Sequence, residues 1–294
     1  MLIFSKAGYL KKRIFSTQTI KYTLPVFFIG MQQTALKAQN ADSAIAIVQY
    51  NVTYVADTTK RDQPQKNSMI LYLGRHSSYY ADMRALEMNE RVKAYIQQHP
   101  EVITENQAIN LPNSFCWYKD VVNNKLVNIT RTARNVQKIF FVEESMPVIQ
   151  WTITSETKII GGYNCQKATA IFRGRIYAAW FCKQLPYSNG PWKLGGLPGL
   201  ILEAADVTNE IVFSFKSFET NAVAVAITLP EGGIKTSSKD LNKYLETIRL
   251  DGAAMMQGSG AARGRSAQGG SNGQDGPPPQ QGEVNNPLEK ENGL

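Results

Sequence analysis

The groups with which this sequence could do chemistry are few: two histidines, three cysteines and a scatter of acidic residues. His76 and His99 lie far in sequence from any serine or cysteine in an elbow-like setting. No Gly-x-Ser-x-Gly occurs within the strand-rich region 41–251, so an activated nucleophile has no frame. Glu143-Glu144 and Glu203 with Asp206 are the best acidic candidates for general acid–base work. They sit at strand ends, where carboxylates are usually just solvated, and a hydrolase would need them to converge, for instance Glu203 with His76. There is no Cys-x-x-Cys, and two histidines are too few for a zinc site of the usual Cys/His kind. The run Gly195-Gly196-Leu197-Pro198-Gly199 lacks the Lys-Ser/Thr and the helix that a phosphate loop requires. The expectation is a protein with no catalytic residues, metal or cofactor.

What remains is a segment rich in glycine and aromatics, Asn189-Gly190-Pro191-Trp192-Lys193-Leu194-Gly195 followed by Gly196-Leu197-Pro198-Gly199-Leu200-Ile201-Leu202. Read as architecture, Pro198 and Gly199 suit the second and third positions of a type II turn. Gly195-Gly196 lets the backbone pass close to a ring such as Trp180 or Trp192. Read as a binding site, Gly195, Gly196, Leu197, Pro198 and Gly199 offer backbone contacts to a ligand between walls from Trp180, Tyr187 and Trp192. Both readings stay open at the level of sequence.

Cys116, Cys165 and Cys182 are an odd count. A two-residue hairpin tip at Arg173-Gly174 makes Phe172 and Arg175 the closing pair. Cys165 then falls opposite Cys182 at a non-hydrogen-bonded position, where Cα atoms lie about 4.5 Å apart. A disulfide can bridge that distance, so a Cys165–Cys182 bond is expected, with Cys116 left as core packing.

The elements that position these residues are mostly strands. From about Ala41 to Asp251 short apolar runs alternate with turn signals, the pattern of an antiparallel β domain. Asn123-Asn124 reads as another tight hairpin. Leu86, Val92, Tyr95 and Ile96 fit one face of a helix over 83–96, and a second helix is expected over 238–250 with Ser238 as its cap. The fold class is mainly β (α+β): a single curved antiparallel sheet, bowl- or half-barrel-like, with one or two helices.

Residues 1–38 read as a signal peptide, with a basic start, the apolar run Leu24–Met31, and small residues ending at Ala38 where cleavage is expected. The chain carries 32 basic and 24 acidic residues, but the first 38 hold six of the basic ones and none of the acidic. Without them the balance is near neutral, and nothing electrostatic suggests nucleic acid. From residue 252 to 294 the composition is rich in Gly, Pro and Gln, and a disordered tail is expected. A periplasmic or secreted protein that meets a membrane only during export follows.

The segment Gly196–Ile201 resembles the signature of the GLPGLI family. Gly162-Tyr163-Asn164-Cys165, Lys167-Ala168, Gly174-Arg175, Ala179-Trp180-Phe181 and Leu185-Pro186 resemble its usual approach to the motif, and Asn286-Pro287-Leu288-Glu289 resembles a common ending. Cys182 departs from it, since Thr or Ser is commoner there. The resemblance implies an exported bacterial envelope protein and supplies no catalytic residues. The expected function is a non-catalytic binding or carrier module for an apolar or amphipathic ligand such as a lipid, peptide or glycan. The alternative is a module that docks an outer-membrane protein.

Overall fold

Alternation with a period of two runs through most apolar segments after residue 41, and those segments are strands. The computed structural model describes residues 42–98, 114–132, 138–220, 225–248, 250 and 288–289. The expected signal peptide, His99, and the tail apart from Leu288 and Glu289 lie outside the described residues. Strands β1 (Asp42–Ser43), β2 (Ala46–Tyr54), β3 (Gln65–Leu73) and β4 (Ser77–Asp82) precede helix α1 (Met83–Gln98). Next come β5 (Ser114–Asp120), β6 (Lys125–Thr132), β7 (Lys138–Ser145), β8 (Thr152–Ile160), β9 (Tyr163–Phe172) and β10 (Arg175–Cys182). The order ends with β11 (Leu200–Asp206), β12 (Ile211–Thr220), β13 (Ala226–Ile227), β14 (Ile234–Lys235) and helix α2 (residues 238–248).

Twelve strands form one sheet in the order β14-β7-β6-β5-β4-β3-β2-β12-β11-β10-β9-β8. It is curved without closing into a barrel, as the expected half-barrel fold requires. Two features depart from a single antiparallel sheet. Strand β14 runs parallel to β7, and β1 pairs with β13 in a small sheet of their own.

Local chemistry sets the turns; it meets one expectation and corrects two. The β9–β10 hairpin closes as expected: Phe172 faces Arg175, and Arg173 and Gly174 both take positive φ, 49° and 72°, as a type I′ turn demands. The β5–β6 hairpin is wider than expected. Asp120 faces Lys125, so the loop holds four residues, with Asn124 alone at positive φ (50°); the Asp120 carboxylate secures it by accepting from the Asn123 backbone and amide. Helix α2 is capped by Ser237 rather than Ser238, its Oγ accepting from the Asp240 N–H at 3.1 Å, a bond from Ncap to N3.

The sheet buries both faces over one half and a single face over the other. On β3 to β6, alternate residues enter opposite cores. Leu71, Tyr80, Trp117 and Leu126 join the main cluster, while Ile70, Ala81, Cys116 and Val127 join a second one with Met83 and Leu86 of α1 packed against it. Strands β9 to β11 send Ala168, Tyr177, Phe181 and Ile201 into the main cluster. Their other face carries Thr169, Ala178 and Ala205, which stand in one register row across β9, β10 and β11 and are less buried than those core residues.

Candidate functional site

The glycine and aromatic segment between β10 and β11 folds back over the main core. Trp192 is 1 % exposed, with its ring edge-on to Phe172 at 5.6 Å and tilted against Tyr177 at 6.3 Å. Its backbone takes φ 54°, a left-handed conformation that costs a non-glycine residue about 1–2 kcal/mol. Burial of an indole offsets that cost. Leu194 and Leu197 are likewise buried. Pro198 does not occupy a type II turn. The Gly199 N–H donates to the Leu197 carbonyl at 2.8 Å, a three-residue γ-turn centred on Pro198, and Gly199 has φ 153°. Glycine is required there by approach as well, since an added Cβ would lie 2.2 Å from the Cys182 carbonyl oxygen.

One residue that sequence reasoning passed over holds this loop. Lys119 of β5 projects inward beside Trp117 and is buried. Its ammonium donates to Asn189 Oδ1 at 2.8 Å, to the Gly190 carbonyl at 3.2 Å and to the Leu194 carbonyl at 2.8 Å. Three acceptors use the three donors of a charged lysine. Burial acts the other way and lowers its pKa to about 7. Asn189 in turn donates to Ser78 Oγ at 2.9 Å, and the Trp151 indole N–H donates to the Gly195 carbonyl at 2.8 Å. The signal was a lysine in step with an inward-facing tryptophan two residues earlier.

Of the eight expected contact residues, Trp180 opens onto a surface groove. Trp192 and Leu197 are core, Gly195, Gly196, Pro198 and Gly199 form the corner, and Tyr187 packs on Phe218 at 6.0 Å. The groove, about 320 Å³, runs over the outer face of β9 to β12, with Ala178 and Ala205 as floor and Trp180 at one end. In register, Trp180 is flanked by Lys167 of β9 and Glu203 of β11. Lys158 lies over the indole, 4.5 Å from its centroid, and its Nζ donates to Glu203. The register of β10 with β11 shifts just after Trp180, leaving Leu202 as the extra residue. This β-bulge lets Leu200, Ile201 and Leu202 all face the core while Glu203 stays on the groove side.

Residues 77–232 match the family described as N-glycanase peptide, N-terminal domain. The chain belongs to this family. The match takes in the corner, Lys119 and Trp180. Among solved structures, PNGF-II in a C2 crystal form shares the fold at a TM-score of 0.50 and 16% identity, over 71% of this chain and 34% of that one. PNGF-II in a P21 form gives 0.49 and 15%, over 69% and 33%. The chain thus spans about a third of the structures it resembles. None of the curated proteins matches it.

The other candidates of this family member are engaged in structure. Asp206 and Arg175, each 2 % exposed, pair at 2.7 Å, and Arg175 also meets Glu210 at 3.1 Å. Asp206 further accepts from Thr208 Oγ1 and the Ile211 N–H, so its carboxylate ties the ends of β10 to β12 together. Glu143 pairs with Lys125 and with Lys235, which hold its carboxyl below the usual range. His76 is exposed in the turn between β3 and β4, on a different part of the sheet from Glu203. Among the described residues no group of His, Cys, Asp and Glu gathers as a metal site.

The expected disulfide is a correction. All three cysteines are buried free thiols. The register is as expected, with Phe181 facing Gln166, but the ladder ends there. Cys182 continues opposite Leu200 of β11, and Cys165 opposite Lys158 of β8. Their Sγ atoms turn to different acceptors, the Tyr163 carbonyl at 3.6 Å and Gln184 Oε1 at 3.7 Å. Strand register fixes Cα positions, not the direction of Sγ.

Proposed function

We propose that this chain is an exported, non-catalytic recognition domain that binds a glycan at the Trp180 groove. The observation that carries this is the half-buried indole set between an ammonium and a carboxylate on a floor of small residues. Such a surface suits a sugar, whose C–H faces stack on an aromatic ring while its hydroxyls reach charged groups. Lys158 covers part of the ring; its pair with Glu203 is only part-buried and its contact with the indole outside a dry core is worth about 0.5–1 kcal/mol, so a ligand that replaces both contacts displaces it at modest cost. Membership in an N-glycanase domain family supports the chemical class. The engagement of Glu203 with Lys158 and of Asp206 with Arg175 supports recognition without catalysis. The leader-like composition of residues 1–38 supports export. A lipid-carrier role finds less support, because the main core is filled by Tyr50, Trp192, Phe181 and their neighbours.

Native mass spectrometry and tryptophan fluorescence, with N-linked oligosaccharides and glycopeptides set against the bare peptides, test the reading. Saturable glycan binding that Trp180→Ala weakens at least tenfold, with unfolding unchanged, supports it; binding of the bare peptides alone, or an unaffected Trp180→Ala variant, refutes it. A second reading, docking of a protein partner, has its own observation. Ile171, Ile176 and Val207 are 76 %, 48 % and 63 % exposed. They form one apolar row beside the groove, with Ile171 opposite Ile176 and the Val207 N–H donating to the Ile176 carbonyl.

A further inference from the structure

A second cleft, about 190 Å³, lies where β7, the β9–β10 tip and the corner loop meet α2. Lys193, 6 % exposed along its side chain, is the cation at its base. It pairs with Glu144 of β7 and, at 2.6 Å, with Glu289. Arg173 at the hairpin tip pairs with the same two carboxylates, at 2.6 Å to Glu144 and 3.6 Å to Glu289. Two cations and two carboxylates thus alternate around a closed ring. Three of the four come from elements of the sheet and its corner loop. The fourth, Glu289, lies more than 35 residues beyond α2, and Leu288 beside it packs against the main hydrophobic cluster. Without Glu289, two cations share one carboxylate, and the cleft carries an uncompensated positive charge at a mostly buried amine, the condition that favours recruiting an anion.

We propose that this cleft, together with the adjoining edge of the main hydrophobic cluster, is a peptide-docking seat that recognises an apolar residue followed by a carboxylate, and that Leu288–Glu289 is its resident ligand, held in cis. The apolar contact and the double ion pair are both needed, because Glu289 and Arg173 are part-exposed and solvent screening leaves the ion pairs alone too weak to hold a chain segment. Lys193 follows Trp192 and precedes Leu194, whose carbonyl Lys119 holds, so an occupied seat also braces the corner loop. The seat is separate from the Trp180 groove and does not rest on the glycan reading. Its expected ligand class is a short acidic peptide with a leading aliphatic residue, and the chain's own segment reduces access to it from outside.

The test uses the full chain. A variant carrying Leu288→Ala and Glu289→Gln presents an emptied seat, and a fluorescent peptide of residues 284–290 is titrated against it by anisotropy. The emptied seat should bind this peptide at least tenfold more tightly than the same peptide carrying Glu→Gln or Leu→Ala. The unaltered chain, its seat filled, should bind it at least tenfold more weakly than the variant does. Absence of saturable binding to the variant, or equal binding of the Gln peptide, overturns the proposal. Amide exchange on the unaltered chain gives an independent reading. Exchange at Leu288 and Glu289 should accelerate at least tenfold between 50 mM and 1 M salt while β10 stays protected, and exchange that ignores salt counts against the seat.

Discussion

Replacing Lys119 by methionine should remove a rise of stability with pH between 6 and 9. Burial lowers the Lys119 pKa from 10.5 to about 7. Below pH 7 the amine is charged in both states, and the fold bears the whole cost of burying it. Between pH 7 and 10.5 the native state has released its proton while the unfolded chain still holds one. The unfolded state then binds more protons, so stability rises with pH. At 1.36 kcal/mol per unit, the rise between pH 6 and 9 is about 2 to 3 kcal/mol. Above pH 9 the individual curves of both proteins bend down, because burial pushes the Cys165 thiol up to about 12 and the unfolded thiol ionises first. Urea unfolding of both proteins at half-unit steps, with unchanged m-values, gives a difference curve in which every other titration cancels. Methionine keeps most of the side-chain volume, so the slope of the curve, not its offset, isolates the charge. A flat curve from pH 6 to 9 would refute the reasoning. The hydrogen bonds to Asn189, Gly190 and Leu194 would then hold the proton as firmly as burial expels it.

Three further outcomes are expected. Gly199→Ala should cost at least about 3 kcal/mol, because its methyl group meets the Cys182 backbone, whereas Gly196→Ala, left-handed but in open space, should cost about 1–2 kcal/mol; equal losses in urea unfolding would show that the corner tolerates the approach. Asp206→Ala strips one buried and one part-buried hydrogen bond and a buried ion pair from the ends of β10 to β12 and should destabilise by about 3–5 kcal/mol, read from the thermal or urea midpoint. All three cysteines should resist iodoacetamide in the native protein and react in denaturant without reductant. Two that stay unlabelled in denaturant would restore the disulfide.

The sequence announced the architecture more plainly than the site. The type I′ tip at Arg173-Gly174 and the strand pattern around it are local properties, and local properties can be read from spacing. The type II turn at Pro198-Gly199 was a reasonable inference from local preference, but Gly199 answers to a long-range fact. The carbonyl of Cys182 occupies the space that its Cβ would need, and no local pattern reveals that. The sulfur directions of Cys165 and Cys182 fail for a related reason, since register constrains backbone and leaves χ1 to the packing on either side. Lys119 was overlooked because a lone lysine in a strand reads as solvated. Its acceptors lie about 70 residues away in sequence.

The two clefts differ in how the fold produces them, and that difference separates the two proposed roles. The Trp180 groove exists because β9 to β12 carry small side chains on the face turned away from the main core. Its floor is open, its ion pair is only part-buried, and a ligand gains access by moving Lys158 and Lys167 from over the indole. The Lys193 cleft lies where strands distant in the sheet, β7 and the β9–β10 pair, come back together around the curve, and a segment from the far end of the chain completes its charges. A site that is open and nearly balanced in charge is suited to sampling ligands from solution. A site whose charge is completed only by the chain's own carboxylate is suited to holding one partner. If both readings hold, Trp180→Ala and Glu289→Gln should act independently, because the changes alter different elements and share no side-chain partner.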